Sequence, residues 1–246
     1  MPLIDLSCHL GVTAATLACA PPDLDAARAY ADQFGVETLC LTASEANTDL
    51  NGGNARLAEA LSQDARFRGW LTLSVHQPEL SLHLAAHYFR QSRWAGARFE
   101  QTHDADDIGE AGGHEIINGL RRYSLPVFLT VHSQSGLHAA VAAAREFHTL
   151  KFLLSPQSEE LSSDILPAVR DVLNISIVPV AAYVERDVIA QAIHILGERG
   201  ERRVFWGSEW GRFHPAAALG MMKDAAITVT QRERIMYRNA RELLGA

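Results

Sequence analysis

The sequence predicts a (β/α)8 barrel of the TIM type, and three observations carry that reading. Short β-rich runs alternate with amphipathic stretches along the whole chain. Strict alternation of strand and helix implies parallel strands joined by right-handed crossovers. Eight such units in 246 residues match the size of one barrel, so residues 1–246 are expected to form a single domain. The alternative is an open doubly wound sheet, which usually has fewer strands. It would also favour a glycine-rich phosphate loop after the first strand, and "CHLGVTAA" is not one.

In chain order, the strands are expected in "PLIDLSCH", "ETLCLTA", "RGWLTLSVH", "GARFE", "PVFLTVH", "KFLLS", "ISIVPV" and "RVFWGSE". Between them "DLDAARAYADQF", "NARLAEALSQ", "ELSLHLAAHYFRQ", "HEIINGLRRY", "LHAAVAAAREFH", "DILPAVRDVL" and "ERDVIAQAIHILGERG" repeat apolar residues at three- and four-residue steps. That spacing suits a helix lying on a sheet. "NGGN", residues 51–54, reads as a turn and N-cap before its helix, because no Lys-Ser/Thr follows the glycines. "TVTQRERIMYRNARELLGA", with its Thr start, reads as a closing helix.

Composition narrows the function. A formal charge of −7 argues against a nucleic-acid partner, since no segment supplies a basic face. No apolar run approaches the roughly 20 residues needed to span a bilayer. The start of the chain lacks the basic and apolar regions of a signal peptide, so a cytoplasmic location is expected. Cys8, Cys19 and Cys40 are odd in number without metal-type spacing and read as reduced thiols.

In such a barrel the chemistry sits at the C-terminal ends of the strands. His9, His76, Arg98 with Glu100, His132, Ser155 with Gln157, Tyr183 and Glu209 all fall at or near those ends. With a period of two, Ser7 and His9 share a face, as do Thr130 and His132, and Gly207 and Glu209. Two imidazoles and a carboxylate, His9, His132 and Glu209, suit a divalent metal. His76 in "VHQPE" reads instead as a strand end before a Pro-started helix. Arg98 could hold a substrate carboxylate bidentately or pair internally with Glu100 or Glu209; both readings stay open. His83, His87, His138, His148 and His194 lie in helical patterns, and nothing selects His103 or His114.

These residues together give the chain a resemblance to the amidohydrolase superfamily. The similar branch includes aminocarboxymuconate semialdehyde decarboxylase, the resorcylate decarboxylases and 2-pyrone-4,6-dicarboxylate lactonase. "IDLSCHLG" resembles the family's opening Asp-x-His-x-His-x-Gly, and "RFRGWLTLSVHQPE" its third-strand segment. "LPVFLTVHSQSG" and "KFLLSPQS" resemble strands five and six, "RVFWGSEWGRFHP" the Phe-Gly-Ser-Asp-x-Pro region, and "RERIMYRNARELLG" the closing helix. The resemblance implies a metal held by two opening histidines, a strand-five histidine and a strand-eight aspartate, with a strand-six histidine as acid or base. Only part of that set is kept. Ser7 stands at the first histidine position, His9 at the second and His132 at the third. Pro156 falls where the strand-six histidine is expected, and Glu209 replaces the aspartate.

The leading expectation is therefore a hydrolase for a small carbonyl compound, a lactone or a carboxylated ring-cleavage product. Burial would raise the pKa of Glu209 and make it the general base toward water. His9 and His132 would polarise the carbonyl, directly or through one divalent ion, zinc or manganese; the metal-free arrangement is favoured. Arg98 and Arg212 would hold an anionic substrate. Two alternatives stand beside it: a metal-dependent decarboxylase of an unsaturated or aromatic acid, and a barrel without catalysis used for binding or assembly. Short loops suggest a shallow mouth that a second copy could cover, which makes a homodimer an expectation too.

Overall fold

A computed structural model describes residues 2–11, 22–100, 107–183 and 187–245. Cys19 and His103 lie outside them. Seven parallel strands form one sheet in chain order: β1 (Leu3–Leu10), β2 (Val36–Ala43), β3 (Phe67–Thr72), β4 (Trp94–Phe99), β5 (Val127–Val131), β6 (Phe152–Pro156) and β7 (Ile175–Ile177). Seven helices occupy the connections: α1 (Leu24–Phe34), α2 (Leu50–Ser62), α3 (Pro78–Tyr88), α4 (Ala111–Leu120), α5 (Gln134–Glu146), α6 (Glu159–Val169) and α7 (Val188–Ile195). After them come α8 (Pro215–Asp224), α9 (Val229–Glu233) and α10 (Asn239–Leu244), the last two joined by a π turn.

The expected eighth strand is not a regular one. Residues 204–210 nevertheless run between β7 and β1. Val204 bridges to Ile177 and Trp210 to Cys8. The Phe205 N–H donates to the Ile177 carbonyl at 2.9 Å. On the other side the Leu6 and His9 N–H groups donate to the carbonyls of Trp206 and Trp210 at 3.3 and 2.7 Å. Two features interrupt the ladder: the Ser208 N–H donates to the Asp5 carboxylate at 2.9 Å, and Glu209 has φ 54°. β7 also stops early, at Ile177, shortly before Pro179, which has no N–H to give.

Two apolar clusters hold the layers. The larger packs the outward faces of the strands against the helices. The smaller gathers Ile4, Leu6, Cys40, Trp70, Phe128, Leu153, Val178 and Phe205, and Ala240 of α10 packs with them. The closing helix thus seals one end of this inner cluster. At the other end the inward positions become polar: Ser7, Thr42, Thr72, Arg98, Thr130 and Ser155 are all fully buried. A β-bulge in β1, between Asp5 and Cys8, lets Leu6 join the apolar layer while Ser7 and His9 join the polar one.

Several local expectations change. "NGGN" lies inside α2, whose cap is Asp49, accepting from the Gly52 N–H at 2.9 Å. Asn54 is buried there and ties the helix to β3, donating to the carbonyls of Leu50 and Thr72 at 2.7 and 2.9 Å. β3 ends at Thr72, so His76 sits past the strand on an exposed turn, 3.6 Å from Asp107. The Thr start of the closing segment is a capping box, Thr228 with Gln231. No helix among the described residues is long and apolar enough to cross a membrane.

Candidate active site

The polar end of the barrel is organised around Glu209. Its backbone turns back sharply, and Gly211 at φ 94° follows so closely that a Cβ there would meet the His9 carbonyl oxygen at 2.4 Å. This tight turn aims the carboxylate at β1. Oε1 accepts from the Ser7 hydroxyl, and Oε2 lies 3.0 Å from His9 Nε2. Arg98 of β4 reaches the same group, with Nη2 at 3.5 Å from Oε1. Arg212 approaches from the turn, with Nη1 at 3.5 Å from Oε2.

Glu100, just past β4, is the second anion of the cluster. Its Oε1 accepts from Arg212 Nη2 and lies 3.4 Å from His9 Nδ1; its Oε2 lies 3.2 Å from Arg98 Nε. Glu100 was expected at the end of the fourth strand and as an ion-pair partner of Arg98, with no role of its own. The signal that places it here is parity: Arg98 and Glu100 are two residues apart, so they leave the strand on one side. The Arg98 guanidinium also donates to Ser7 Oγ at 2.8 Å and Thr42 Oγ1 at 3.3 Å, and its carbon stands 4.3 Å from the Phe128 ring centroid. Its guanidinium thus faces Ser7, Thr42, Glu100 and Glu209 within the cluster, with Nε making no hydrogen bond. Arg212 differs: 19% of its side chain is exposed, while those of His9, Arg98, Glu100 and Glu209 are at most 1% exposed.

The charges set the protonation states. Burial on its own would raise the Glu209 carboxyl. The neighbouring His9, Arg98 and Arg212 outweigh it and hold the group well below the usual carboxylate range. The expectation of a raised Glu209 is therefore reversed in direction. Glu100 is also held low: burial raises it, and Arg98, His9 and Arg212 more than offset that. His9 is pushed down from 6.5, by burial first and then by the Arg212 charge, against the pull of the two carboxylates. The imidazole stands between two carboxylates, with Nε2 facing Glu209 Oε2 at 3.0 Å and Nδ1 facing Glu100 Oε1 at 3.4 Å. Nδ1 is buried with no hydrogen-bond partner, as are Glu100 Oε2, Thr72 Oγ1 and Thr130 Oγ1.

Below the site, Asp5 anchors the turn to β1. It accepts from Tyr30 at 2.6 Å, from the Ser7 and Ser208 N–H groups at 3.1 and 2.9 Å, and from the Ser208 hydroxyl. Burial lifts its pKa despite those donors. Pro156 closes β6 as a buried apolar end opposite Val131. Ser155 accepts from Gln157 at 3.2 Å. His132 follows β5 directly and is half-buried. Tyr183 lies in a helical turn well beyond β7. His114 is on the surface of α4, 2.7 Å from Glu146.

A divalent ion does not fit this donor set. Both oxygens of Glu209 and Nε2 of His9 are engaged with each other or with Ser7 and the guanidiniums, and the two carboxylates are already balanced by two fixed cations. Among the described residues no three His, Cys, Asp or Glu side chains are grouped so as to hold a metal. The trio His9, His132 and Glu209 is therefore not assembled as ligands.

No protein-family model matches the chain, and no curated protein matches it in sequence. Solved structures do share its fold. A dihydroxybenzoic acid decarboxylase from Polaromonas sp. JS666, with bound manganese and 2-nitroresorcinol, superposes with a TM-score of 0.76 at 16% identity, over 99% of this chain and 97% of that one. A candidate 2-pyrone-4,6-dicarboxylic acid hydrolase from Pseudomonas putida gives 0.75 at 17% identity, over 99% and 97%. Amidohydrolase 2 from Bifidobacterium longum subsp. infantis gives 0.72 at 17%, over 99% and 98%. The fold is thus the one that the family resemblance of the sequence implies. At these identities the likeness speaks for the fold alone.

Proposed function

We propose that this chain is a barrel of the amidohydrolase type, a single domain over residues 1–246 with residues 204–210 as its eighth stave. Its reaction is metal-independent hydrolysis of a small carboxylated carbonyl compound, a lactone or a ring-cleavage product. The observation that carries the reading is the buried His9–Glu209 pair, whose Nδ1 makes no hydrogen bond and lies 3.4 Å from Glu100 Oε1. Glu209, held as a carboxylate, fixes the imidazole tautomer and stabilises the imidazolium as it forms. His9 Nδ1 takes the proton from water. The base role passes from Glu209 to His9, because a carboxylate held this low accepts a proton poorly. Arg212, the partly exposed cation, meets the substrate's anionic group. The hydroxyls of Thr72 and Thr130, buried without a hydrogen-bond partner, are further donors at inward positions. No role in the hydrolysis rests on His132.

The test is a hydrolysis assay on a panel of small lactones and carboxylated pyrones. The expected rate is constant above neutrality and falls as pH drops through the His9 pKa, below 6.5. His9→Gln should lower kcat by about 10²–10⁴-fold. Full activity in His9→Gln, or no turnover by the wild-type protein on the panel, defeats the proposal. A second reading, a barrel that binds without catalysis, is favoured by the near-complete burial of the cluster. Saturable binding of the same compounds without turnover would select it. Decarboxylation on a divalent ion is the weaker option, since the donors it needs are already engaged. The proposal places the chain in the cytoplasm, in keeping with buried free thiols at Cys8 and Cys40. Its partners are the small substrate and a second copy covering the mouth.

A further inference from the structure

We infer that the face of the barrel formed by the strand starts carries a second binding site, for an organic dianion with an apolar body. The inference is independent of the proposed hydrolysis and concerns the end of the barrel opposite Glu209.

The site is a cavity of about 700 Å³ that runs from the end of α5 to α10. Its place follows from the strands. Lys151 stands immediately before β6, Asn174 immediately before β7 and Arg202 just before residues 204–210, and all three border it. In a barrel of this kind the chemistry lies at the other ends of the strands, and this face serves stability. Here α10 covers part of the face through Ala240 and leaves the space beside it open. Its size falls in the ordinary range of a small-ligand pocket, roughly 300–1,000 Å³.

The lining combines two chemistries. Leu153 and Phe205 belong to the inner apolar layer and border the cavity together with Leu243. Leu173 borders it too and is 81% exposed, so an apolar body bound there has a surface to cover. Around these stand Arg145, Lys151 and Arg202, all exposed. None of the three pairs with a carboxylate among the described residues. Several surface arginines elsewhere do find acids: Arg28 meets Asp25, Arg66 meets Asp32 and Asp64, and Arg238 meets Glu233. The other charges on the cavity are accounted for. Arg203 gives its donors to four backbone carbonyls, and Glu242 pairs with Arg234 at 3.2 Å. That leaves three cations against one carboxylate, Asp171, a surplus of two positive charges on a chain whose formal charge is −7. His148 adds an imidazole to the same lining.

A local surplus of this sign in an acidic protein draws anions in, and the apolar contacts decide which of them stay. Two negative charges on an apolar body match what the cavity offers. A phosphate monoester carries both charges on one group and suits the paired donors of arginine, whereas a dicarboxylate spreads them.

The test is calorimetric titration of the whole chain with 1-naphthyl phosphate and with naphthalene-2,6-dicarboxylate. Inorganic phosphate and 1-naphthol serve as the charge alone and the body alone. At low salt at least one dianion should saturate at one per chain and bind about tenfold or more tightly than either partial probe. Added salt should weaken that binding, because the cations are exposed. The double variant Lys151→Glu/Arg202→Glu should keep its circular dichroism and lose about tenfold or more in affinity. If it does not fold, Arg145→Glu alone carries the comparison, with a smaller loss in the same direction. Arg212→Gln, at the other end of the barrel, should bind like wild type. The tighter dianion names the ligand class. The inference fails if neither dianion saturates, or if 1-naphthol or inorganic phosphate binds as tightly. It fails equally if the charge-reversed variants bind like wild type, or if Arg212→Gln abolishes binding and so places the ligand in the mouth.

Discussion

Glu209 shows at the residue scale how far a single side chain can be committed. It occupies a left-handed backbone position and is fully inside the barrel, yet it carries a full charge. Neutralising it leaves Arg98 and Arg212 facing Glu100 alone. Glu209→Gln should therefore cost about 3–5 kcal/mol at neutral pH, read from urea unfolding, as when one partner of a buried pair is removed. The sign of the pH dependence follows from the depressed pKa values. Glu209 and Glu100 contribute stability above the ordinary carboxylate value of 4.5, and that contribution is lost as pH falls through their lower folded values. Lowered His9 adds to the same trend below 6.5, because the unfolded chain takes up the proton first. Unfolding at a series of pH values should show Glu209→Gln with a flatter acid limb than wild type; equal slopes would contradict this. His9 and Glu209 were legible from strand ends and parity, and Arg212 only from the family resemblance. Glu100 was legible as a strand-end residue, but its contact with His9 and the direction of the Glu209 shift were not, because both depend on which charges converge from distant strands.

Among the elements, β1–β6 were legible because buried parallel strands are continuous apolar runs of the right length. The eighth was not, since nothing in "RVFWGSE" announces that the Ser208 amide will bond to Asp5 instead of a neighbouring strand. The start of α2 was misplaced for a similar reason: its glycines look like a turn, but Asp49 caps the helix one turn earlier. α8 also went unread, although Pro215 at its first turn is an ordinary start signal. Arg203 shows how an element is fastened without an ion pair. Its guanidinium donates to four carbonyls, Val169, Arg170, Val172 and Ile175, and so joins the end of α6 to the start of β7. Arg203→Met should destabilise the fold by on the order of 3 kcal/mol in chemical denaturation, because three buried carbonyls and one partly buried one lose their donor. Gly96, at φ 157° in β4, leaves no space for a side chain, since a Cβ would meet the Pro126 carbonyl oxygen at 2.2 Å. Gly96→Ala should shift the strand that carries Arg98 and lower stability by a comparable amount in the same measurement.

The whole molecule places its apolar plug and its charged cluster at opposite ends of one barrel. The α10 end is sealed by Ala240, and beside it lies a cavity of about 700 Å³ bordered by Leu153, Phe205 and Asn239. The polar end carries two carboxylates and two guanidiniums within hydrogen-bond range, so bulk salt should barely change its internal balance. The seam between residues 204–210 and β1 has a further consequence. Two backbone bonds, at Leu6 and His9, and the Asp5–Ser208 clasp hold it, whereas β5 and β6 pair in register over five residues. Amides at the seam should exchange with deuterium sooner than those of β5, and warming should part the seam before the helices melt. Glu209 would leave with it. Function should therefore fade at a temperature where circular dichroism still reports an intact chain, and return on cooling.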